Sequence, residues 1–432
     1  MSSKSYTSLR CICVFGFYDD GMNYWKWAFE RFKRQLWWQA VSYGILGVIT
    51  AFVALGAERI LPVGLPWEIS REAVASLLNV ISSSMLAVTT FSLGAMTSAF
   101  GAATSNVTPR ATQLLMEDRT THNVLSTFIG AFVFSIVSMI VLNTGSYGER
   151  GRMVLFVITI GVIVLIVVQL LRWINHLISL GRMGTTIDRV EEAAVRAITQ
   201  RLEIPYLGAN PWWDGADLPK DARPILSQST SYIQFIDMRK LSELADKHEL
   251  QIYIPRNAGS FLYKDTVIAY VLGKVSADLE ANIRDQFIVG SKRSFDQDPR
   301  FGLIVMAEIG SRALSPATND AGTALDVIGR ITRLLSKWSE GRENENVSFP
   351  RLHLKPLREE DLFEDAFLIL SRDGAHLVEI QIRLQKSLAA LQRVGNESFR
   401  AAAKHHAELA MQRAQAASLL PQDLQRIEHL QS

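Results

Sequence analysis

Long apolar runs are confined to the first 180 residues of the chain. Four of these runs are uncharged and long enough to cross a bilayer, which takes roughly 17–25 helical residues. They are Leu36–Leu55, Ala73–Pro109, Val124–Leu142 and Met153–Leu171. The pattern predicts an α-helical integral membrane protein with four transmembrane helices, followed by a mainly α-helical, charged region.

The second run differs from the others because hydroxyl residues recur along it at seven-residue spacing. The five residues of this hydroxyl stripe are Ser76, Ser83, Thr90, Thr97 and Thr104. Asn79, Ala87, Gly94 and Gly101 lie close beside the stripe, whereas large apolar residues occupy the other faces. A membrane helix buries such a face against another helix or lines water with it. The protein is therefore expected to be built around this helix, with the stripe as a pore-lining face or a helix-packing seam.

The end of the second run carries a stop signal. At 1.5 Å per residue the helix is about 55 Å long, whereas the hydrocarbon core is only about 30 Å thick. One end should therefore project from the bilayer or lie against other protein. Thr108 suits a helix cap and Pro109 suits a first helical position, so a short helix is predicted over Arg110–Arg119. We call Thr108, Pro109 and Arg110 the membrane-exit motif.

Basic residues flank the predicted membrane domain, residues 36–180. The lead-in of residues 1–35 contains interfacial tryptophans and six basic residues: Lys4, Arg10, Lys26, Arg31, Lys33 and Arg34. Arg172 and Arg182 follow the fourth run. The positive-inside rule then places both termini in the cytoplasm. Residues 1–21 do not resemble a signal peptide, and Met22 is an alternative start of translation.

Composition excludes several classes of function. The net charge of +2 indicates no nucleic-acid partner. Cys11 and Cys13 are too close for an unstrained disulfide, and no His or Cys residues near them complete a metal site. The sequence contains no metalloprotease helix, phosphate loop, dinucleotide fingerprint or catalytic triad. We expect no enzymatic activity, metal or cofactor, and we expect the pair His405-His406 to lie on a solvated helix.

The C-terminal region divides by pattern into three parts. Residues 181–224 contain an amphipathic helix, Thr186–Leu202, and a linker rich in Pro, Gly and Asp. Residues 225–273 alternate as half-buried strands do and are similar to a small barrel-sandwich module of the biotinyl or lipoyl type. The attachment lysine motif of that type is absent, so the module is interpreted as a spacer or docking barrel. Residues 274–432 are predicted to form a helical domain and tail.

Two stretches, residues 90–136 and 289–328, carry a family resemblance. Their marks include Pro109-Arg110, Arg293, Gln297-Asp298, Phe301-Gly302 and the run from Ala313 to Asp320. They resemble a bacterial family of predicted inner-membrane proteins of unknown function, with several N-terminal spans and a cytoplasmic C-terminal region. The family commonly has Ser before Pro109 and Pro after Asp320, where this chain has Thr108 and Ala321. The resemblance implies a location in the bacterial inner membrane, but it implies no activity.

A turn between two predicted helices, residues 315–320, is a candidate polar site. Pro316 stops the first helix, and Asn319 or Asp320 can cap the second. The turn is then structural. Alternatively, the free amides of the second helix attract an anion, or Asp298 and Asp320 hold a cation beside Arg293. The residues of this candidate site are Arg293, Asp298, Ser315, Asn319 and Asp320.

Two functions remain open from the sequence. In the first, the protein is an oligomeric, channel-like membrane protein, because four helices alone do not readily enclose a hydrated path. Copies of the stripe surround a shared axis, and the cytoplasmic region forms a gate. In the second, the protein is a membrane-anchored scaffold or sensor, whose cytoplasmic region binds a partner or small ligand. The expected partners are the lipid bilayer and further copies of the chain, and the ion or ligand is not specified.

Overall fold

The computed structural model describes residues 36–60, 69–116, 118–145, 147–179, 182–341 and 347–430. The predicted lead-in of residues 1–35 lies outside the described residues. Five helices form the N-terminal part: α1 (Leu36–Ile60), α2 (Arg71–Asn106), α3 (Pro109–Met116), α4 (Arg119–Asn143) and α5 (Glu149–Ser179). We call α1, α2, α4 and α5 the helix bundle and residues 182–430 the C-terminal region.

Three helices of the bundle are long and apolar enough to cross a membrane. Among the described residues these segments are Arg71–Ala102, Thr120–Asn143 and Glu149–Ile178. The apolar stretch described within α1, Ala40–Val53, is shorter. The structure thus confirms several apolar helices of membrane-spanning length. The predicted count of four spans is not confirmed by length.

The bundle is built around α4, which packs against α1, α2 and α5. In the most apolar window of α4, 56% of the residues are buried, compared with 22% for α2 and 17% for α5. Phe128 and Phe134 of α4 are fully buried. Within the single chain, the central helix is therefore α4, and α2 lies at the periphery.

Hydrogen bonds tie the helices together at one end of the bundle. Arg71, at the start of α2, donates to the carbonyl oxygen of Asn143 at the end of α4, over 3.1 Å. The Tyr147 hydroxyl donates to the carbonyl oxygen of Ala51 in α1, over 2.8 Å. Consecutive helices of the bundle therefore alternate in direction, so that α1 and α4 run parallel. The opposite end of the bundle meets the C-terminal region.

The described residues of the C-terminal region form nine helices. They are α6 (Met183–Glu203), α7 (Met238–Lys247), α8 (Ala277–Arg284), α9 (Pro299–Ala313), α10 (Ala321–Ser339), α11 (Glu359–Asp373), α12 (Val378–Leu391), α13 (Glu397–Ala416) and α14 (Pro421–Glu428). A 3₁₀ turn, Pro205–Gly208, follows α6. Apolar faces of α6 and α9 to α13 form one large core, which also contains Val107 and Ala111 from the α2–α3 corner.

The β strands are β1 (Ala209–Pro211), β2 (Arg223–Leu226), β3 (Ser231–Ile236), β4 (Gln251–Ile254), β5 (Phe261–Leu262), β6 (Val267–Leu272), β7 (Phe287–Gly290) and β8 (Phe349–Leu354). They form a five-stranded sheet of order β1-β8-β4-β6-β2 and a three-stranded sheet of order β5-β3-β7. Strand β8 pairs in parallel with β1 and β4.

The β-rich part therefore extends beyond the predicted residues 225–273. Strand β1 comes from the predicted linker, and β7 and β8 come from the segment predicted to be helical. The barrel-sandwich detail is not confirmed. These strands are only three to six residues long, so their pairing with distant chain segments, rather than their own pattern, selects the strand state.

Candidate functional site

The hydroxyl stripe lies on the outward face of α2. Its five residues, Ser76, Ser83, Thr90, Thr97 and Thr104, are all exposed in the single chain. The buried residues of α2 are Val74, Leu78, Ile81, Met85 and Ser92. At 3.6 residues per turn, the stripe lies about 180° around the helix from this buried line. The stripe is therefore not a packing seam within one chain.

The stripe hydroxyls are mostly satisfied by their own helix. Thr90 donates to the carbonyl oxygen of Leu86 over 2.9 Å, and Thr97 donates to that of Leu93 over 2.8 Å. Ser83 and Thr104 make the same bond four residues back. Each oxygen keeps lone pairs that face outward. The stripe can thus accept hydrogen bonds from water, or pack dry against another helix at little cost.

The membrane-exit motif joins α2 to the C-terminal region. The Thr108 hydroxyl donates to Oε2 of Glu308 on α9 over 3.1 Å, and the Arg110 guanidinium donates to Oε1 over 2.5 Å. The backbone N–H of Arg110 also points to the Thr108 hydroxyl oxygen, 3.4 Å away. Glu308 was not predicted as a partner, because a single acidic residue on a helix resembles ordinary solvated surface.

A second polar junction lies between α4, α5 and α6, and the sequence did not predict it. Asp118 caps α4, accepting hydrogen bonds from the backbone N–H and the hydroxyl of Thr121 over 3.0 and 2.7 Å. His176 of α5 lies 2.7 Å from the same carboxylate oxygen, and Arg189 of α6 lies 2.8 Å from the other. The Thr121 hydroxyl donates its one proton to Asp118. The hydroxyl oxygen therefore accepts from His176 Nε2, 3.1 Å away, which carries the proton.

Asp118 remains ionised in this junction. Burial alone raises the pKa of its carboxyl, but the hydrogen bonds from His176 and Thr121 and the charge of Arg189 together hold that pKa well below its usual range. The carboxylate thus ties both membrane helices to the first helix of the C-terminal region.

Arg293 and Asp298 of the candidate polar site form an ion pair in which the carboxylate is buried and the guanidinium is half-buried. The Arg293 nitrogens Nε and Nη2 lie 2.8 and 2.7 Å from one oxygen of Asp298. The other oxygen accepts the backbone N–H of Phe301 and so caps α9. The cationic head of Arg293 also lies 5.4 Å from the centre of the Phe301 ring, within cation–π range.

A further buried cation, Arg201 of α6, completes this junction. It donates to Oδ1 of Asn257 over 3.0 Å and to the carbonyl oxygen of Gln297 over 3.3 Å. Burial lowers the pKa of Arg201 to about 10, against the opposing effect of the Asp298 charge. Burial likewise raises the pKa of Asp298, in spite of Arg293. Desolvation therefore disfavours the charged forms of Arg201 and Asp298, and the attraction between these two charges offsets that cost.

Gly259 packs against the Arg293–Asp298 ion pair on the side that faces the sheets. It has a φ of +88°, and a Cβ atom there would lie 2.0 Å from Oδ2 of Asp298 and 2.7 Å from Nη2 of Arg293. Only a residue without a side chain fits this left-handed turn at that distance. The turn between β4 and β5 is thus pressed onto the start of α9.

Asp320 caps α10, as the turn pattern predicted. Its carboxylate accepts the backbone N–H of Thr323 over 3.0 Å and the Thr323 hydroxyl over 2.6 Å. These bonds lower the pKa of the Asp320 carboxyl. Asn319 has a φ of +50°, and its backbone N–H donates to the carbonyl oxygen of Ser315 over 2.8 Å. Ser315, Asn319 and Asp320 thus close the turn between α9 and α10.

The candidate polar site is thus two places in the fold. Asp298 precedes α9 and Asp320 follows it, and the 15 residues of α9 span about 22 Å. The two carboxylates therefore do not share a cation, contrary to that alternative. Among the described residues, no group of three or more His, Cys, Asp or Glu side chains is arranged to hold a metal ion.

Comparisons with known proteins identify the family of the chain. Residues 33–390 match the family described as "Predicted membrane protein (DUF2254)". The chain belongs to this family. Uncharacterized proteins of Mycobacterium bovis and Mycobacterium tuberculosis are 24% identical to it over 243 residues, which cover 54% of this chain and 46% of each relative. The chain thus matches about half the length of these curated relatives. No solved structure matches.

The DUF2254 match contains both ends of the Thr108–Glu308 contact and both ends of the Arg293–Asp298 pair. His406 lies after the matched residues, and the expectation that it is solvated is wrong. Its side chain is 3% exposed, near the Phe363 ring and 3.5 Å from Glu360. His405, next to it, is 53% exposed. The helix thus turns one histidine inward and one outward.

The buried His406 makes the stability of the C-terminal region pH-dependent. Burial, with His405 and Arg413 nearby, lowers the pKa of His406 from 6.5 to about 4. The unfolded chain therefore binds this proton first, and stability falls as pH drops from about 6.5 towards 4. Between pH 7 and 5 the loss should reach about 2 kcal/mol, at 1.4 kcal/mol per pKa unit.

Urea titration of the full-length protein at several pH values measures this effect. His406→Leu should flatten the acid limb of the stability curve, whereas the exposed-site control His405→Gln should leave it unchanged. An acid limb of equal slope in His406→Leu and in the parent protein would contradict the assignment.

Proposed function

We propose that this protein is an oligomeric, channel-like protein of the bacterial inner membrane. Each chain contributes four membrane helices, with α1 as the fourth, and both termini lie in the cytoplasm. The C-terminal region forms a cytoplasmic gate and assembly domain. The alternating direction of consecutive helices, with the C-terminal half of α1 tied to the α4–α5 loop through Tyr147, supports an even number of passes.

The outward position of the hydroxyl stripe carries this proposal. On α2, the face opposite the buried line holds the stripe hydroxyls together with Ala87, Gly94 and Gly101. There is open space beside Gly94 and Gly101, where an added Cβ would meet no atom within 4 Å. Large exposed side chains, including Leu86 and Phe91, flank this face. A central small-polar face between apolar ridges suits helices that meet around an axis.

The interior of one chain does not offer an alternative path among the described residues. Phe128, Phe134 and Trp173 are fully buried between the helices, and they fill the space around α4. A hydrated path therefore requires a second copy of α2, and the lining would consist of uncharged hydroxyls. Such a lining suits passive conduction and requires neither a catalytic group nor a cofactor.

A set of single cysteines tests the proposal in a protein with Cys11 and Cys13 replaced by Ser. Cysteines at Ser83, Thr90 and Thr97 should react with a membrane-impermeant thiol reagent and should cross-link between copies. A cysteine at Val164, an exposed residue of α5, serves as the lipid-facing control. A monomer in mild detergent together with an unreactive stripe would refute the channel.

The second candidate function is a membrane-anchored scaffold or sensor. It is favoured by the hydrogen bonds of Thr90 and Thr97 to their own helix, because satisfied hydroxyls permit a dry helix–helix seam. In that case the three cysteines cross-link between copies but remain unreactive towards the impermeant reagent. The C-terminal region then binds a partner or small ligand instead of gating a path.

A further inference from the structure

The end of the stripe-bearing helix is built into the core of the C-terminal region. Val107 and Ala111, on either side of the membrane-exit motif, are fully buried among the apolar residues of α6 and α9 to α13. Thr104 of the stripe is only three residues away from Val107. Any displacement of this core therefore acts directly on the last turn of α2.

Glu308 holds the corner from the other side. Its two carboxylate oxygens bind the Thr108 hydroxyl and the Arg110 guanidinium separately. The Arg110 side chain is 56% exposed, so water can readily replace it in the ion pair. The apolar contacts of the corner are thus shielded from water, whereas its ion pair between Arg110 and Glu308 is accessible to water.

Helix α9, which carries Glu308, is held at several points by other parts of the C-terminal region. Its start is fixed by the buried Asp298 and the turn at Gly259. Arg300 binds Asp361 and Asp365 of α11 over 3.0 and 2.6 Å. Gly302 lies so close to α6 that an added Cβ would be 2.3 Å from the Cβ of Ala194. A movement of the sheets, α6 or α11 must therefore move α9.

We propose that Glu308, Thr108 and Arg110 form a latch through which the C-terminal region regulates the stripe helix. With the latch closed, α9 fixes the rotation and tilt of the last turns of α2. With the latch open, α2 moves relative to its neighbours in the assembly. This inference rests on the proposed channel and names the contact by which the cytoplasmic region controls the stripe.

Labelling rates test the latch in inverted membrane vesicles. The parent protein carries a single cysteine at Thr97 or Thr104, and the probe is a membrane-impermeant maleimide. Glu308→Gln should change the labelling rate by about threefold or more, and Thr108→Val should do the same. Glu364→Gln, the same substitution at an exposed position of α11, and Thr108→Ser should leave the rate unchanged.

A charge exchange separates the ion pair from general damage to the fold. Arg110→Glu combined with Glu308→Arg should restore the parent rate that either single change alters. Equal rates in the parent and in Glu308→Gln would overturn the latch. So would a double variant that behaves no better than the single variants.

Hydrogen exchange of the purified full-length protein keeps the latch testable if the channel fails. A stripe that is unreactive everywhere in the parent protein would refute the channel only. Amides of residues 93–106 should still exchange faster in Glu308→Gln than in Glu364→Gln, because the end of α2 has lost its anchor. Unchanged exchange in this segment would overturn the latch independently of any conduction.

Discussion

Thr90→Leu is expected to lower single-channel conductance by roughly tenfold, since a leucine on the stripe both narrows and dries the path. The change occurs once in every copy, so the apolar side chains form a ring around the axis. Thr90 is exposed in the single chain and its hydroxyl already bonds to Leu86. Its loss therefore leaves no buried polar group without a partner. Currents from the purified protein in planar bilayers measure the effect.

Two controls define what this result means. Thr90→Ser keeps the hydroxyl and should retain the parent conductance, and Val164→Leu adds the same kind of bulk on an exposed face of α5. Full conductance in Thr90→Leu would remove the stripe from any conducting path. A loss of assembly without a change of unit conductance would instead support the packing seam of a scaffold.

Asp298→Ala is expected to destabilise the C-terminal region by about 3–5 kcal/mol, because it leaves the buried Arg201 and the half-buried Arg293 without their counter-charge. Arg293 loses both of its contacts to Asp298, and Arg201 loses the charge that opposes its desolvation. The start of α9 also loses its cap. Pulse proteolysis of the full-length protein in increasing urea measures the change in unfolding free energy.

Asp320→Ala is the matched control for this prediction. Asp320 also caps a helix, but its carboxylate bonds to Thr323 near the surface, without a buried cation. Its loss should cost only about 0.5–2 kcal/mol, the usual range for a helix cap. Equal losses at the two positions would show that the ion pair at Asp298 contributes nothing beyond its cap.

The sequence predicted the regular elements where the local signals agree. Helix α6 covers Met183–Glu203 and so contains the amphipathic helix predicted over Thr186–Leu202. The cap at Asp320 was predicted from its place between two helices, whereas the cap at Asp298 was not predicted. Short strands such as β8 were missed, because β8 acquires its partners β1 and β4 from segments more than 90 residues away. No local pattern encodes such pairings.

The sequence predicted Arg293 and Asp298 as polar site residues but missed Arg201, which lies in the same junction. Arg201 was overlooked as one more charge on an amphipathic helix. Its position three residues after the buried Ile198 and seven after the buried Ala194 places it on the apolar face of α6. This register is the signal that identifies a buried arginine. Val195, an apolar residue of the same helix, is 37% exposed, so not every apolar residue of α6 lies on its buried face.

Which face of α2 is buried could not be predicted from α2 alone. Both the line through Leu78 and Ile81 and the stripe through Ser83 and Thr90 are plausible contact faces for a membrane helix. The apolar residues of α4 selected the first line, which left the hydroxyls on the outside. Partner choice among helices depends on the whole bundle, whereas periodicity describes one helix.

The contact between Thr108 and Glu308 spans 200 residues of chain, and this separation sets the order of events during synthesis. At about 5–20 residues per second, roughly 10–40 s pass between translation of the two residues. Helix α2 is therefore made long before α9 and the later helices supply the core that buries Val107 and Ala111. During that interval the nascent corner exposes apolar surface beside the membrane, and a chain stopped before α9 would retain that exposed surface permanently.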